Sequence, residues 1–139
     1  MVDDLRAKLL VALERHPGVL VAYLFGSTAR GTARPLSDVD VAVLLADGVD
    51  PLHERLTLMA EIASAIGSDE VDVVVLNDAP VALAYRVLRD GILLRSTDDL
   101  ARIRHRVTVV DRYLDMEPFR RVQAEGLRHR LDEGRFGRR

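Results

Sequence analysis

Two carboxylates stand one residue apart at the start of an apolar segment. Asp38 and Asp40 open the sequence DVDVAVLL, whose alternation of acids and valines predicts a strand over residues 38–45. Because side chains alternate along a strand, the two acids project to the same face, about 6.5–7 Å apart. Two like charges this close repel each other unless a cation lies between them. Carboxylate oxygens are the ligands that Mg²⁺ prefers, so the pair indicates a divalent-cation site.

A glycine and a serine precede this pair by a polar loop. Gly26 and Ser27 follow the continuous apolar run Val19–Phe25, which favours a buried strand. Glycine leaves the backbone amides open to a phosphate that approaches closely, and the serine adds a hydroxyl donor. A helix beginning after Ser27 would also favour an anion. The turn is therefore predicted to hold phosphate while the next strand holds metal.

A third acid stands near the start of a later apolar segment. Asp72 is the second residue of VDVVVL, which predicts a strand over residues 71–76. If this strand lies beside the strand of Asp38 and Asp40, the three carboxylates face the glycine-serine turn together. Such a site fits nucleotidyl transfer, in which a metal neutralises charge on phosphate oxygens and a carboxylate helps to deprotonate the attacking hydroxyl.

The elements around these residues alternate in the order α-β-β-α-β-α-β-α. This order predicts an α/β (α+β) fold with a mixed sheet of about four strands backed by helices. The predicted strands cover residues 19–25, 38–45, 71–76 and 92–95. The predicted helices cover residues 3–16, 52–66, 79–89 and 97–114, the last resuming toward residue 131 after a break near Pro118.

Composition limits the class of protein. At 139 residues the chain suits a single domain, with a core over 1–97 and a helical C-terminal extension over 98–139 packed on or beside it. There is no cysteine, which excludes disulfides and thiolate metal sites. No apolar run approaches the roughly 20 residues of a membrane span, and the acidic N-terminus is unlike a secretory signal. We therefore expect a cytoplasmic protein without membrane contact.

Charge is distributed unevenly along the chain. Residues 100–139 carry eleven arginines and six acids, whereas residues 1–99 carry nine basic residues and sixteen acids. A basic segment of this kind fits either nucleic acid or an acidic protein partner. We favour a protein partner, because the acidic body otherwise leaves these arginines unmatched.

The motif also resembles a known family. Gly26-Ser27, ten intervening residues and then Asp38-Val39-Asp40 match the signature of the polymerase-beta-like nucleotidyltransferase superfamily. The segment FGSTARGTARPLSDVDVAVL is similar to sequences of its minimal nucleotidyltransferase (MNT) branch. This branch supplies antitoxins paired with HEPN-domain ribonuclease toxins. The resemblance covers residues 19–96, and the helical tail resembles that branch less specifically. It implies an antitoxin that transfers AMP from ATP to tyrosine hydroxyls of its HEPN toxin, with Mg²⁺ as cofactor and no direct binding of nucleic acid.

The resemblance also implies roles for individual residues. Asp38 and Asp40 would be metal ligands, and Asp72 would be the third carboxylate, acting either as the base or as a shared metal ligand. The ATP triphosphate would be held by Gly26, Ser27 and Arg30.

Two other functions remain open at this point. The acceptor could be a small molecule or an RNA end, although proteins of those kinds usually carry extra domains for acceptor recognition. Alternatively, the chain could neutralise its partner without catalysis, through contacts of the basic tail alone.

Overall fold

Four strands form one mixed sheet with helices on both faces. The computed structural model of the chain describes residues 2–26 and 38–132. The strands are β1 (Val19–Phe25), β2 (Val39–Leu45), β3 (Val71–Val75) and β4 (Ile92–Ser96). The helices are α1 (Val2–Glu14), α2 (Pro51–Ile66), α3 (Val81–Asp90) and α4 (Asp99–Asp132), with a short 3₁₀ turn at Leu76–Asp78. The predicted fold class and element order are confirmed.

The strand order in the sheet is β3-β2-β1-β4. β1 pairs antiparallel with both β2 and β4, whereas β2 and β3 run parallel. Parallel strands need a crossover connection, and α2 supplies it. This connection places the starts of β2 and β3 side by side at one end of the sheet.

Alternation along β2 separates two apolar cores. Val39, Val41 and Val43 face a core shared with α1 and α2. Ala42 and Leu44 face the opposite core, which contains residues of α3 and α4. The side chain of Asp40 belongs by its position to the face that α3 and α4 cover.

Local signals fix both ends of the crossover helix α2. The Asp50 carboxylate accepts hydrogen bonds from the backbone amides of Leu52 and His53 at 3.1 and 3.4 Å, and Pro51 occupies the first turn. Gly67 ends the helix in the left-handed conformation, with φ of 72°. The helix is therefore held between a defined start and a defined stop.

A buried histidine ties α1 to α2. His16 is 6% exposed, and its Nδ1 lies 2.7 Å from Oε1 of Glu54. Its Nε2 lies 3.2 Å from Oε1 of Glu61, without the geometry of a hydrogen bond. Sequence reasoning gave this histidine no catalytic role, and its contacts here are structural.

Most predicted boundaries are shifted by one or two residues, and two differences from the prediction have an identifiable cause. α4 is continuous from Asp99 to Asp132, so the predicted break near Pro118 does not occur. An interior proline costs a helix about 3 kcal/mol, which long helical flanks on both sides can offset. The predicted third strand ends one residue early, since Leu76 begins the 3₁₀ turn. There the Asn77 side chain exchanges two hydrogen bonds with the Leu45 backbone, at 2.9 and 3.0 Å.

α4 is attached to the core through one of its faces. The rings of Tyr85 on α3 and Tyr113 on α4 stack in parallel, with centroids 3.6 Å apart. Val109 is buried in the same core. Of the helices in the described ranges, none has the length and apolarity that crossing a lipid bilayer requires.

Candidate active site

The parallel register of β2 and β3 brings two of the predicted acids together. Asp40 pairs directly with Asp72 across the two strands, and the preceding pair is Val39 with Val71. Parallel neighbours are about 4.8 Å apart, so the two carboxylates leave adjacent strands at the same level. The expectation that the third strand lies beside the second is therefore confirmed.

Asp40 is the most constrained of the three acids. It is half-buried, and burial raises the pKa of its carboxyl above the ordinary value, helped by repulsion from Asp72 and Asp38. Both causes disfavour the charged form. A cation beside these carboxylates would remove the repulsion, which matches the prediction made from the spacing of Asp38 and Asp40.

Asp38 stands at the exposed mouth of the site. It precedes β2 rather than beginning it, because the first ladder contact is the Val39 amide donating to the Glu70 carbonyl at 2.8 Å. The Asp38 side chain is hydrogen-bonded to the Glu70 side chain, and this bond raises the pKa of the Glu70 carboxyl, followed by the charge of Asp38. Glu70 is a fourth acid that sequence reasoning missed. Its place immediately before β3 was the signal that could have found it.

Gly26 was predicted to leave an open approach for phosphate, and in the structure it also lies against the Asp40 carboxylate. It follows β1 with φ of 77°, in the region that L side chains rarely adopt. A Cβ at this position would collide with the Asp40 carboxylate, whose Cγ would be 3.3 Å away. The register pair of Phe25 with Asp40 explains this closeness. Gly26 therefore lets the turn after β1 pass directly against a predicted metal ligand.

The remaining predicted site residues, Ser27 and Arg30, lie outside the described residues. Their assignment to the triphosphate stays a prediction.

An arginine of α2 reaches the site and was also missed. Nε of Arg55 donates to the Val73 carbonyl at 2.8 Å, and its Nη2 lies 3.5 Å from Oδ1 of Asp72. The first bond anchors the guanidinium to the edge strand β3, and the second forms an ion pair with the carboxylate. Arg55 is the sole lysine or arginine between Arg34 and Arg86, a signal that could have drawn attention to it.

The donor chemistry of this cluster suits magnesium. Asp38, Asp40 and Asp72 offer hard carboxylate oxygens, and the pKa of Asp40 is raised first by burial and then by the charges of Asp72 and Asp38. Among residues 2–26 and 38–132, no three acidic, histidine or cysteine side chains are already gathered closely enough to hold a metal ion. The metal role of the three acids therefore stays a prediction.

Comparison with sequence families identifies the unit of the chain that contains this site. Residues 7–100 match the family model described as polymerase beta, nucleotidyltransferase. The match covers all four strands, α2 and α3 completely, and the C-terminal part of α1.

Two curated proteins have related sequences. Protein adenylyltransferase MntA of Shewanella oneidensis is 42% identical over 81 residues, which are 58% of this chain and 57% of that protein. The putative protein adenylyltransferase MJ0435 of Methanocaldococcus jannaschii is 31% identical over 91 residues, which are 66% of this chain and 95% of that protein. The matched segment thus spans little more than half of the Shewanella relative.

Solved structures with the same fold include toxin–antitoxin complexes. A chain of a toxin–antitoxin crystal structure with AMP-PNP has a TM-score of 0.75 and 31% identity, covering 88% of this chain and 97% of that one. A chain from the complex of the tri-AMPylated Shewanella oneidensis HEPN toxin with its MNT antitoxin has a TM-score of 0.71 and 27% identity. That likeness covers 91% of this chain and 98% of the solved one.

Proposed function

The chain belongs to the polymerase beta nucleotidyltransferase family, and we propose that it transfers AMP from ATP to a tyrosine hydroxyl of a HEPN-domain ribonuclease toxin, acting as the antitoxin. The observation that carries the proposal is the pairing of Asp40 with Asp72 in register, with the turn at Gly26 against the Asp40 carboxylate. Support for the acceptor comes from the relatives. One is a protein adenylyltransferase, and one solved complex contains a tri-AMPylated HEPN toxin.

The reaction is a substitution at the α-phosphorus of ATP. The tyrosine oxygen forms a bond to this phosphorus, the bond to the β-phosphate oxygen breaks, and pyrophosphate leaves. The phenolic proton passes to a carboxylate, for which Asp72 is our candidate. Gly26, Ser27 and Arg30 are assigned to hold the triphosphate in line with the attacking oxygen.

Magnesium is the cofactor that the donor set suits. Asp38 and Asp40 would hold Mg²⁺, which when bound neutralises charge on the phosphate oxygens. Asp72 would be a shared metal ligand in the alternative in which it does not take the proton. Arg55 anchors the Asp72 carboxylate from the side of α2, so that its free oxygen keeps one orientation toward the substrate.

We assign different roles to two parts of the chain. Residues 1–97 form the nucleotidyltransferase core, and residues 98–139 form an extension of the same domain that serves partner contact. A ribonuclease partner acts on cellular RNA, so we place the pair in the cytoplasm.

Labelled ATP tests the reaction directly. The purified chain is incubated with Mg²⁺, a purified HEPN-domain toxin, and ATP labelled on either the α- or the γ-phosphate. We expect label on toxin tyrosines from α-labelled ATP only, abolished by a metal chelator and restored by added Mg²⁺. Label from the γ-phosphate would show phosphoryl transfer instead. An unlabelled toxin despite confirmed ATP binding would contradict the proposal, and labelling of an added RNA or aminoglycoside instead would indicate another acceptor.

A further inference from the structure

A cavity of about 360 Å³ lies between the start of α2 and the strand β3. The lining residues are Pro51, Leu52, Arg55, residues 73–75 and Asp78. Three consecutive residues of β3 line it although their side chains alternate between the two faces, so the cavity lies at the outer edge of the strand. β3 is an end strand, and within residues 2–26 and 38–132 no strand pairs with its outer side. We call this cavity the edge groove.

The walls of the edge groove are mainly apolar. Five of its lining residues have apolar side chains. Leu52, at the second position of α2, is 62% exposed, and Leu56, one turn further along the helix, is 54% exposed. Burying such side chains against a bound molecule would be favourable. The edge groove is therefore suited to an apolar group of a ligand or partner.

Arg55 connects the edge groove to the candidate active site. Its Nε donates to the Val73 carbonyl at 2.8 Å, and its Nη2 lies 3.5 Å from Oδ1 of Asp72. The same arginine lines the groove. A molecule bound in the groove therefore lies beside Asp72, our candidate for accepting the phenolic proton.

The order of the strands indicates which reactant reaches the groove. Gly26 follows β1, Asp40 lies on the central strand β2, and Asp72 lies on the edge strand β3. We assign the triphosphate to the turn at Gly26, on the side of β1. In an in-line displacement the attacking oxygen and the leaving group lie on opposite sides of the phosphorus. The acceptor tyrosine therefore approaches from the side of β3, where the edge groove lies.

The backbone of β3 favours an extended segment as the occupant. The Val73 carbonyl points away from β2, since Arg55 reaches it from the outer side. Alternate residues of a strand direct their backbone groups to the same edge, so the Val75 amide also points outward. An extended segment adds to such an edge through main-chain hydrogen bonds and places alternate side chains in pockets. Because Arg55 occupies the Val73 carbonyl, the segment would pair at Val75 and direct a side chain toward Leu52.

From these observations we propose that the edge groove binds the extended toxin segment that carries the acceptor tyrosine, with an apolar side chain of this segment against Leu52. This inference rests on the proposed function and adds the part of the acceptor that the chain recognises. Val75 lies three residues beyond Asp72, about 10 Å along the strand. The apolar side chain should therefore lie within about five residues of the tyrosine.

Leu52→Gln tests the groove through the kinetics of AMP transfer. The rate is measured with a purified HEPN-domain toxin while the toxin and ATP concentrations are varied separately. We expect the KM for toxin to rise about ten-fold and the KM for ATP to change by less than about two-fold. An unchanged KM for toxin would overturn the proposal. So would a rise confined to the KM for ATP, because the nucleotide would then occupy the groove.

Two further variants control for the loss of an exposed apolar side chain. Leu52→Met keeps an apolar side chain of similar volume, so it should stay within about two-fold of the wild-type KM for toxin. Val11→Gln changes a 57% exposed residue of α1 and should match the wild type. Circular dichroism checks that each variant is folded. A rise in the KM for toxin in all three variants would show an effect that is not specific to the groove, and would overturn the proposal.

Photo-crosslinking gives a readout that does not depend on catalysis. The variant Leu52→p-benzoylphenylalanine is irradiated with the toxin in the absence of ATP, and the linked peptides are identified by mass spectrometry. We expect a link within about five residues of the tyrosine that accepts AMP. Val11→p-benzoylphenylalanine should give no link to this segment. A link from position 52 to a toxin segment without a tyrosine would overturn the proposal.

The remaining outcomes separate the groove from the chemistry. Normal AMP transfer, with no link from position 52 and no change in the KM for toxin, overturns the groove alone. A chain that sediments by itself as a dimer, and becomes monomeric on Leu52→Gln, also overturns it, because a second copy would then fill the groove. A link to a tyrosine-bearing toxin segment without any AMP transfer by the wild type supports the groove and contradicts the proposed function instead.

Discussion

At the scale of single residues, the site concentrates unfavourable features around Asp40. Its carboxylate is half-buried, faces Asp72 across the sheet and lies against a glycine in a left-handed conformation. The left-handed conformation is unstrained for a glycine, but burial and the neighbouring charge both disfavour the ionised Asp40 carboxylate unless a ligand compensates them. Natural proteins keep such costs where function requires them. The cluster is therefore better explained by binding and catalysis than by stability.

Gly26→Ala tests the contact between the turn and Asp40. A left-handed residue with a Cβ costs roughly 1–2 kcal/mol, and here the Cβ also collides with the carboxylate. Gly48→Ala is the matched control, because Gly48 has φ of 84° but a Cβ added there would meet no atom within 4 Å. We expect both variants to lose stability on urea unfolding, but only Gly26→Ala to lose AMP transfer. Full activity of Gly26→Ala would show that the close approach to Asp40 is not needed.

Arg55→Met tests whether the ion pair with Asp72 serves the reaction. Residues that orient metal-site carboxylates typically change metal affinity or activity by roughly 10–100-fold when lost, whereas half-exposed ion pairs contribute at most about 1 kcal/mol to stability. We therefore expect slower AMP transfer with little change in thermal unfolding, and partial rescue by Arg55→Lys. Arg89→Met, which removes an exposed ion pair with Asp90, should leave the rate unchanged. Equal rates for Arg55→Met and the wild type would refute the positioning role.

At the scale of elements, the site depends on how α2 connects β2 to β3. The parallel crossover sets Asp40 beside Asp72, so the position of α2 controls the relation between two strands that carry the acids. Asp50 and Gly67 fix its ends, and His16 fixes its side toward α1. The rigidity of α2 should therefore affect the geometry of the site. The side chain that α2 itself brings to the site is Arg55.

Removing the buried histidine tests this support. His16→Ala leaves the Glu54 carboxylate without its partner at 2.7 Å, and an unsatisfied buried polar group costs about 1–3 kcal/mol. We expect the free energy of unfolding, measured with urea, to fall by that amount. His53→Ala, at an exposed histidine of α2, should change it by less than about 0.5 kcal/mol. A loss of similar size in both variants would rule out the proposed tie between α1 and α2.

Sequence periodicity was sufficient to predict the helices and strands and their order, because each apolar run is bounded by glycine, proline or acidic residues. The adjacency of Asp40 and Asp72 could be anticipated as well, since a helix between two strands favours a parallel pair. Sequence signals could have drawn attention to Arg55 and Glu70, but not to their contacts, because these depend on how far a side chain reaches across the fold. The passage of α4 through Pro118 was also not predictable, since local propensity opposes it.

At the scale of the whole molecule, the proposed active site lies in the part of the chain that matches the nucleotidyltransferase family. The acids lie at the starts of β2 and β3, beside the end of β1 and Gly26. Most of α4 lies beyond the family unit of residues 7–100. The acidic body and basic tail seen in the sequence follow this division.

The most direct measurement of the central claim is the rate of AMP transfer to the toxin by Asp40→Asn, read by mass spectrometry of the toxin's tyrosine-containing peptides. Asp47→Asn is the control, because Asp47 is exposed just beyond the other end of β2. We predict that Asp40→Asn stays folded and binds toxin but transfers AMP about 100-fold more slowly or not at all, while Asp47→Asn matches the wild type. Wild-type transfer by Asp40→Asn would contradict the assignment of the carboxylate cluster as the active site.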